Sequence, residues 1–224
     1  MTERALKTSQ ADFVRSGIEA RISQGLLVPG QRIEEVEIAE IFGTSRTPVR
    51  EAVSQLVAAG LLHKTPRLGA IVPRLDLRQT LDLMDFSAEL AASSARFAAR
   101  RLRPDELETL RDLCAQLEDH LLADDVAGYA ATASSFHATI IAASRNSYLI
   151  EALERSVIHL ARYFRYCLTY PGQMRADLDD HHRLIAAFEA RDGEAARMLM
   201  RRHALIDPDI IGDYIADLEQ DDSR

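Results

Sequence analysis

At 224 residues and 25.0 kDa the chain is long enough for one large domain or two small ones with a substantial apolar core, which excludes a peptide ligand or a linker. Hydrophobic residues make up 47% but aromatics only 6%, with no Trp, and Ala, Leu, Arg, Asp and Glu outweigh the β-branched residues, so a mostly α-helical protein is predicted. The formal charge of -8 argues against a nucleic-acid partner until it is divided: residues 1–75 carry 10 Lys+Arg against 8 Asp+Glu, and residues 76–224 carry 17 against 27, so the acidity belongs to the later two-thirds.

In chain order, the spacing of Phe13, Ile18 and Ile22 predicts a first helix over Ala11–Gln24, ended by Gly25. After a turn at Val28-Pro29-Gly30, residues Glu34–Phe42 form a short predicted helix with Val36, Ile38, Ala39 and Phe42 turned inward, stopped by Gly43. Ser45 is the expected N-cap of the next helix, Arg46–Ala59, whose Val49, Val53, Leu56 and Val57 make one apolar stripe. Beyond Gly60, the runs Leu61-Leu62 and Ala70-Ile71-Val72 bracket His63–Gly69 and predict a small β-hairpin. Helix, short turn, helix and hairpin together are the plan of a winged helix-turn-helix. In Gly43–Arg74 there are five cations, Arg46, Arg50, Lys64, Arg67 and Arg74, against the single acid Glu51.

A recognition helix enters the major groove by its N-terminal turns, which must therefore carry side chains suited to base edges and phosphates. Ser45, Arg46, Thr47 and Arg50 meet that need. Either arginine can reach guanine O6 and N7, and the pattern does not decide between them. Lys64 and Arg67 on the wing, with Gly69 permitting close backbone approach, add phosphate or minor-groove contacts. Each of these residues taken singly also fits an ordinary solvated surface.

The stretch IEARISQGLLVPGQRIEEVEIAEIFGTSRTPVREAVSQLVAAGLLHKTPRLGAIV resembles, nearly end to end, the DNA-binding domain of GntR-type bacterial transcription regulators; VPGQRI, SRTPVREA and AAGLL…GAIV stand in order and at the right spacing. The resemblance implies that Arg46, Thr47, Arg50 and Gly69 contact operator DNA. Val36 stands where some relatives place a DNA-contacting arginine. The implied domain spans 8–75, and Pro73 punctuates its junction with an effector-binding and dimerisation domain over 76–220.

That second part reads as amphipathic helices over Leu77–Arg101, Pro104–Ala123, Val126–Ser144, Tyr148–Leu168, Met174–Arg191, Gly193 to about Ile206, and Asp209–Leu218. Brief loops, absent strand alternation and the alanines Ala91, Ala92, Ala95, Ala98 and Ala99 predict an antiparallel helical bundle. Cys114 and Cys167 lack CxxC spacing and are expected as two buried thiols in a reducing interior. The opening MTERALKTSQADF has no signal-peptide pattern and no apolar run reaches spanning length, so a soluble, cytoplasmic protein without a membrane partner is expected.

His137, His182 and His203 lie on three predicted helices, too far apart in sequence for a local metal motif. SSFHATIIAASRNSYLIEAL, HHRLIAAFEARDGEAA and RRHALI nevertheless resemble, in order, the segments carrying three metal-binding histidines in the effector (FCD) domain of the FadR branch of GntR regulators. The resemblance implies a Zn or Ni site at these residues. The branch's fourth ligand is an Asp four residues before the first His, and here that position is Ala133, so weaker metal binding is expected. His181, one position from His182 and so about 100° round the helix, is expected at the surface, and His63, His120 and His159 as structural or exposed.

Arg162 and Arg165 in RYFRY are candidates for a carboxylate clamp on a small-molecule effector, such as an organic acid, or else two exposed surface cations. Where many relatives carry an Arg in the first bundle helix, this chain has Asp85. The expected protein is a homodimeric, metabolite-responsive transcription repressor reading a pseudo-palindromic operator on double-stranded DNA, and not an enzyme. The alternative is a metal-dependent hydrolase built on the three histidines, although HExxH, a nucleophile elbow and a glycine-rich phosphate loop are all missing.

Overall fold

The computed structural model describes residues 9–66 and 69–221. The chain divides into two compact units that meet in sequence at Leu75 and Asp76.

In the first unit, α1 (Gln10–Ser23) begins at a capping box in which the Ser9 hydroxyl accepts from the Asp12 N–H and the Asp12 carboxylate accepts from the Ser9 N–H. It packs on α3 (Arg46–Ala58), and α2 (Glu35–Ile41) closes the other side. Val14, Ile18 and Ile22 of α1, Ile38 of α2 and Val49, Ala52 and Leu56 of α3 form the core. Gly43, at φ +61, makes the tight turn between α2 and α3 that a side chain would strain.

Three details differ from the sequence reading. Phe13 is exposed, its edge against Phe42 at 5.7 Å, because Val14 takes the inward position one residue on. Val36 also faces outward, since Ile38 and Ala39 already fill the inner side of this two-turn helix. The hairpin strands are β1 (His63–Thr65) and β2 (Gly69–Ile71), antiparallel with Lys64 opposite Ala70, so Leu61 and Leu62 precede the strand, where they are buried.

The second unit is helical throughout its described residues: α4 (Leu77–Arg101), α5 (Pro104–Leu122), α6 (Val126–Ala143), α7 (Ser147–Cys167), α8 (Gln173–Glu189), α9 (Gly193–His203) and α10 (Pro208–Asp221). Asp76, Asp125, Asn146 and Asp192 cap α4, α6, α7 and α9 by accepting first-turn N–H groups. The alanine face of α4, with Ala88, Ala92, Ala95, Ala98 and Ala99 buried, lets neighbours approach closely. At Gly193, where α9 starts, an added Cβ would lie 3.1 Å from the Arg96 carbonyl oxygen of α4.

The larger core joins Leu110 and Leu117 of α5, Tyr129, Phe136 and Ile140 of α6, and Leu178, Leu184 and Phe188 of α8. A smaller one gathers Met84 of α4, Leu160 and Tyr163 of α7, and Ile206 and Ile211 around the start of α10. Cys114 is buried and Cys167 half-buried, both as free thiols, and burial pushes each up to about 11. Among the described residues no helix is long and apolar enough to cross a membrane.

Candidate functional site

On the first unit the chemistry collects at the start of α3. Ser45 occupies the N-cap with extended backbone, but its side chain makes no capping hydrogen bond, so the first-turn N–H groups keep their capacity for an outside acceptor. Ser45, Arg46, Thr47 and Arg50 are all exposed. Both arginines are steadied by one carboxylate of α2: Glu35 Oε2 accepts from Arg50 Nε at 2.8 Å and from Arg46 Nη2 at 3.2 Å. The Arg50 hydrogen bond, ahead of that from Arg46, holds the Glu35 carboxyl below its ordinary range. Two guanidinium groups are thus held side by side on exposed residues of the first turns of α3, an arrangement that matches phosphate and guanine edges.

On the wing, Lys64 is exposed on β1 and Gly69 opens β2 at φ +83, while Arg67 lies outside the described residues. Arg32 was not anticipated: it bridges to Ile71 beside β2, and its Nε lies 3.9 Å from where a Gly69 side chain would begin. It precedes the helix-turn-helix in sequence, and only the hairpin's third partner brings it there.

On the second unit three imidazoles meet: His137 of α6, His181 of α8 and His203 at the end of α9, with one nitrogen from each within 4.8 Å of the others. This corrects the assignment of His182. It is His181 that is fully buried, and His182 is exposed. Met174, Leu178, His181, Ile185 and Phe188 recur at helical spacing on the buried stripe of α8, and this periodicity was the legible signal for the right residue.

His137 Nε2 and His203 Nε2 are 3.0 Å apart. His181 Nδ1 donates to the Asp177 carbonyl oxygen at 2.7 Å, and a carbonyl can only accept, so its Nε2 carries the lone pair. That Nε2 is buried without a hydrogen-bond partner. Burial first, then the neighbouring His203 and His181, hold His137 well below the ordinary histidine range, which favours the neutral, ligating form.

Ala133, one turn before His137, contributes only a methyl to the core here. The carboxylate at the cluster comes instead from Asp177, one turn before His181 on α8. Its Oδ2 lies 3.1 Å from His181 Nδ1 and accepts from the Tyr129 hydroxyl at 2.8 Å, while its Oδ1 is 3.6 Å from His203 Nε2. Burial works to raise the Asp177 carboxyl, but the hydrogen bond from His181 and the closeness of the His181, His203 and His137 rings outweigh it and hold it far below the carboxylate range. Asp180, 3.8 Å from His203 Nδ1 and bonded by Arg202 and Arg183, is drawn down to about 2, chiefly by His203.

The donor set suits a divalent transition metal. Imidazole nitrogens about 2.0–2.1 Å from a common ion stand roughly 3.0–3.4 Å from one another, close to the His137–His203 separation, and the orphaned His181 nitrogen is the kind of group an ion satisfies.

Arg162 and Arg165, the candidate carboxylate clamp, differ in burial. Arg162 is 5% exposed, and Arg165, one turn on, is on the surface.

Two family descriptions match the chain: "Bacterial regulatory proteins, gntR family" over residues 10–72 and "FCD domain" over residues 82–205. The HTH-type transcriptional regulator McbR of Escherichia coli K12 is 28% identical over 186 residues, covering 82% of this chain and 84% of McbR. The HTH-type transcriptional repressor GlaR of the same strain is 29% identical over 204 residues, covering 87% of this chain and 92% of GlaR. The Nta operon transcriptional regulator of Aminobacter aminovorans is 32% identical over 144 residues, 62% of this chain and 65% of that protein. Among solved structures, that of E. coli McbR/YncC superposes with a TM-score of 0.78 at 27% identity, covering 95% of this chain and 98% of that one. These relatives are regulators of transcription, and none of them supports the hydrolase alternative. With a DNA-binding head of the one family description and an FCD domain filling most of the remainder, the chain belongs to the GntR family of bacterial transcription regulators, as a DNA-binding regulator of the FCD-containing kind.

Proposed function

We propose that the protein is a cytoplasmic, homodimeric repressor whose two heads read half-sites of a pseudo-palindromic operator about one helical turn, roughly 34 Å, apart. In each head Arg46, Thr47 and Arg50 address the major groove, Ser45 and the wing residues Lys64, Arg67 and Gly69 address backbone or minor groove, and Arg32 adds a cation beside Gly69. The observation that carries this reading is the fork of Arg46 and Arg50 on the shared oxygen of Glu35, exposed on the first turns of a helix with an uncapped start.

In the FCD domain, His137, His181 and His203 hold a zinc or nickel ion, with Asp177 orienting His181 and supplying negative charge. When bound, the ion supplies a Lewis-acidic position for an oxygen of a small effector. Effector binding that favours one arrangement of the dimer changes operator affinity by the same factor by which operator DNA changes effector affinity.

The test is a salt-titrated gel shift of genomic fragments with wild type, Arg46→Ala and Arg50→Ala. Loss of a bidentate base contact weakens specific binding by about 1–3 kcal/mol, roughly fivefold to 150-fold, and, with only an exposed ion pair to Glu35 lost, moves the thermal midpoint little. Unaltered footprints in both variants overturn the assigned roles.

A further inference from the structure

The FCD domain contains a buried cation that has no counter-ion among the described residues. Arg162, on α7, is 5% exposed. Its Nε donates to the His159 carbonyl oxygen at 3.2 Å, and its Nη1 is buried with no hydrogen-bond partner. No carboxylate of the described residues pairs with it. On α10, which packs against α7, two acids are engaged elsewhere: Asp213 accepts from the Tyr170 hydroxyl at 2.8 Å and Asp217 from the Tyr166 hydroxyl at 2.7 Å. A guanidinium taken from water without an anion is an expensive feature to retain, and the usual resolution is a partner that brings the charge. Burial accordingly lowers the affinity of Arg162 for its own proton.

The surroundings describe that partner. Arg162 stands 5.8 Å from the centre of the Tyr163 ring, beside Tyr214 of α10, which meets Tyr163 edge-on at 5.0 Å. These two rings border the small core of Met84, Leu160, Ile206 and Ile211. One buried cation among aromatic and aliphatic walls matches one negative charge on an apolar body; a phosphate dianion would lack a second buried cation here among the described residues. α10 packs against α7 here, its hold including the exposed Tyr166–Asp217 and Tyr170–Asp213 bonds.

We propose that Arg162 anchors a second ligand site, separate from the histidine centre, that takes the carboxylate of an apolar monocarboxylic acid beneath α10. The proposal rests on the reading of the FCD domain as effector-binding and adds to it a place and a ligand class. Arg165, whose charge also reaches Tyr214, is exposed and is not buried with Arg162.

Thermal unfolding of the full chain with increasing sodium benzoate, against sodium acetate as the less apolar control, tests it in wild type, Arg162→Met, Arg162→Lys and His203→Ala. Expected are a benzoate-dependent rise in midpoint for wild type and His203→Ala, none for Arg162→Met, and about tenfold weaker binding for Arg162→Lys, which keeps the charge but not the planar fork. Should Arg162→Met fail to fold, the Lys variant carries the comparison. No benzoate response in wild type, an undiminished response in the Arg162 variants, or one abolished by His203→Ala overturns the proposal. Nickel response and operator binding measured on the same samples separate this failure from failure of the histidine centre or of the regulator reading.

Discussion

Alanine at His181 and, separately, at His182 separates two residues that adjoin in sequence and differ wholly in burial. Nickel at about 100 times its dissociation constant stabilises a folded state that alone binds it by about 2.7 kcal/mol. For a chain of this size that is a rise in midpoint of about 5–10 °C. Groups that merely orient a metal-binding histidine are worth about 10–100-fold in affinity, so a ligand itself is worth about 100-fold or more. At unchanged nickel, His181→Ala therefore retains RT ln 2, about 0.4 kcal/mol, and a shift of about 1 °C. His182→Ala keeps the whole shift. The measurement is the nickel-induced difference in midpoint by circular dichroism or dye-based melting, referenced to each variant's own metal-free midpoint, so that the altered packing around a fully buried ring cancels. A full shift in His181→Ala, or its loss in His182→Ala, refutes the assignment, and a wild type indifferent to nickel removes the metal centre altogether.

Asp177→Asn retains an acceptor for Tyr129 and the backbone carbonyl that fixes the His181 tautomer, but it removes the charge; nickel affinity should fall by about tenfold or more while the metal-free midpoint changes little, as titration and melting together will show. Cys114, pushed up to about 11 by burial and then by Glu118 and Asp177, should react with iodoacetamide at pH 8 about 10²-fold more slowly than a free thiol of ordinary pKa, and faster with each unit of rising pH; equal rates in folded and urea-unfolded protein would contradict this. Burial works to raise the Glu106 carboxyl, yet the Arg103 N–H at 2.9 Å and the Arg145 guanidinium at 3.0 Å prevail and hold it below its ordinary range. Its contribution to stability is thus present above the unfolded carboxyl pKa and lost as pH falls through the lower folded value, so Glu106→Gln should flatten the acid limb of the urea midpoint measured across that window, and an unchanged limb counts against it.

The head was the more legible part, because its signals are local. Gly43, Ser45 and the stripe through Val49 and Leu56 lie within a few turns of one another, and each states its structural role by residue type. Misreadings there came from competition for the inner face: Phe13 and Val36 satisfy an apolar pattern, but Val14 and Ile38 lie at angles that better fit the space against α3. In the bundle, capping aspartates and the proline at the start of α5 marked helix starts, whereas several helix ends carry no glycine. Asp124, Arg145 and Arg191 adopt φ of 53°, 49° and 52° just beyond α5, α6 and α8, so the left-handed turn at those ends is made without the residue type that announces it.

The histidine centre shows what a resemblance transfers and what it leaves to packing. Segment similarity points to His137 and His203, but between the adjacent His181 and His182 it offers no choice, and the expected His182 is the exposed one. Two physical signals favoured the other: its phase on the apolar stripe of α8, and Asp177 standing one helical turn before it. The same Asp177 brings to the cluster a carboxylate that Ala133 does not, from a different helix, and nothing in the α6 segment reveals that replacement. It follows only from α6, α8 and α9 converging on a common core, so that Tyr129, Asp177 and His203, remote in sequence, come within hydrogen-bonding or ion-pair range. Charge compensation is therefore a property of the assembled bundle, and the contrast between Asp177→Asn and His182→Ala isolates it from the surface charge of α8.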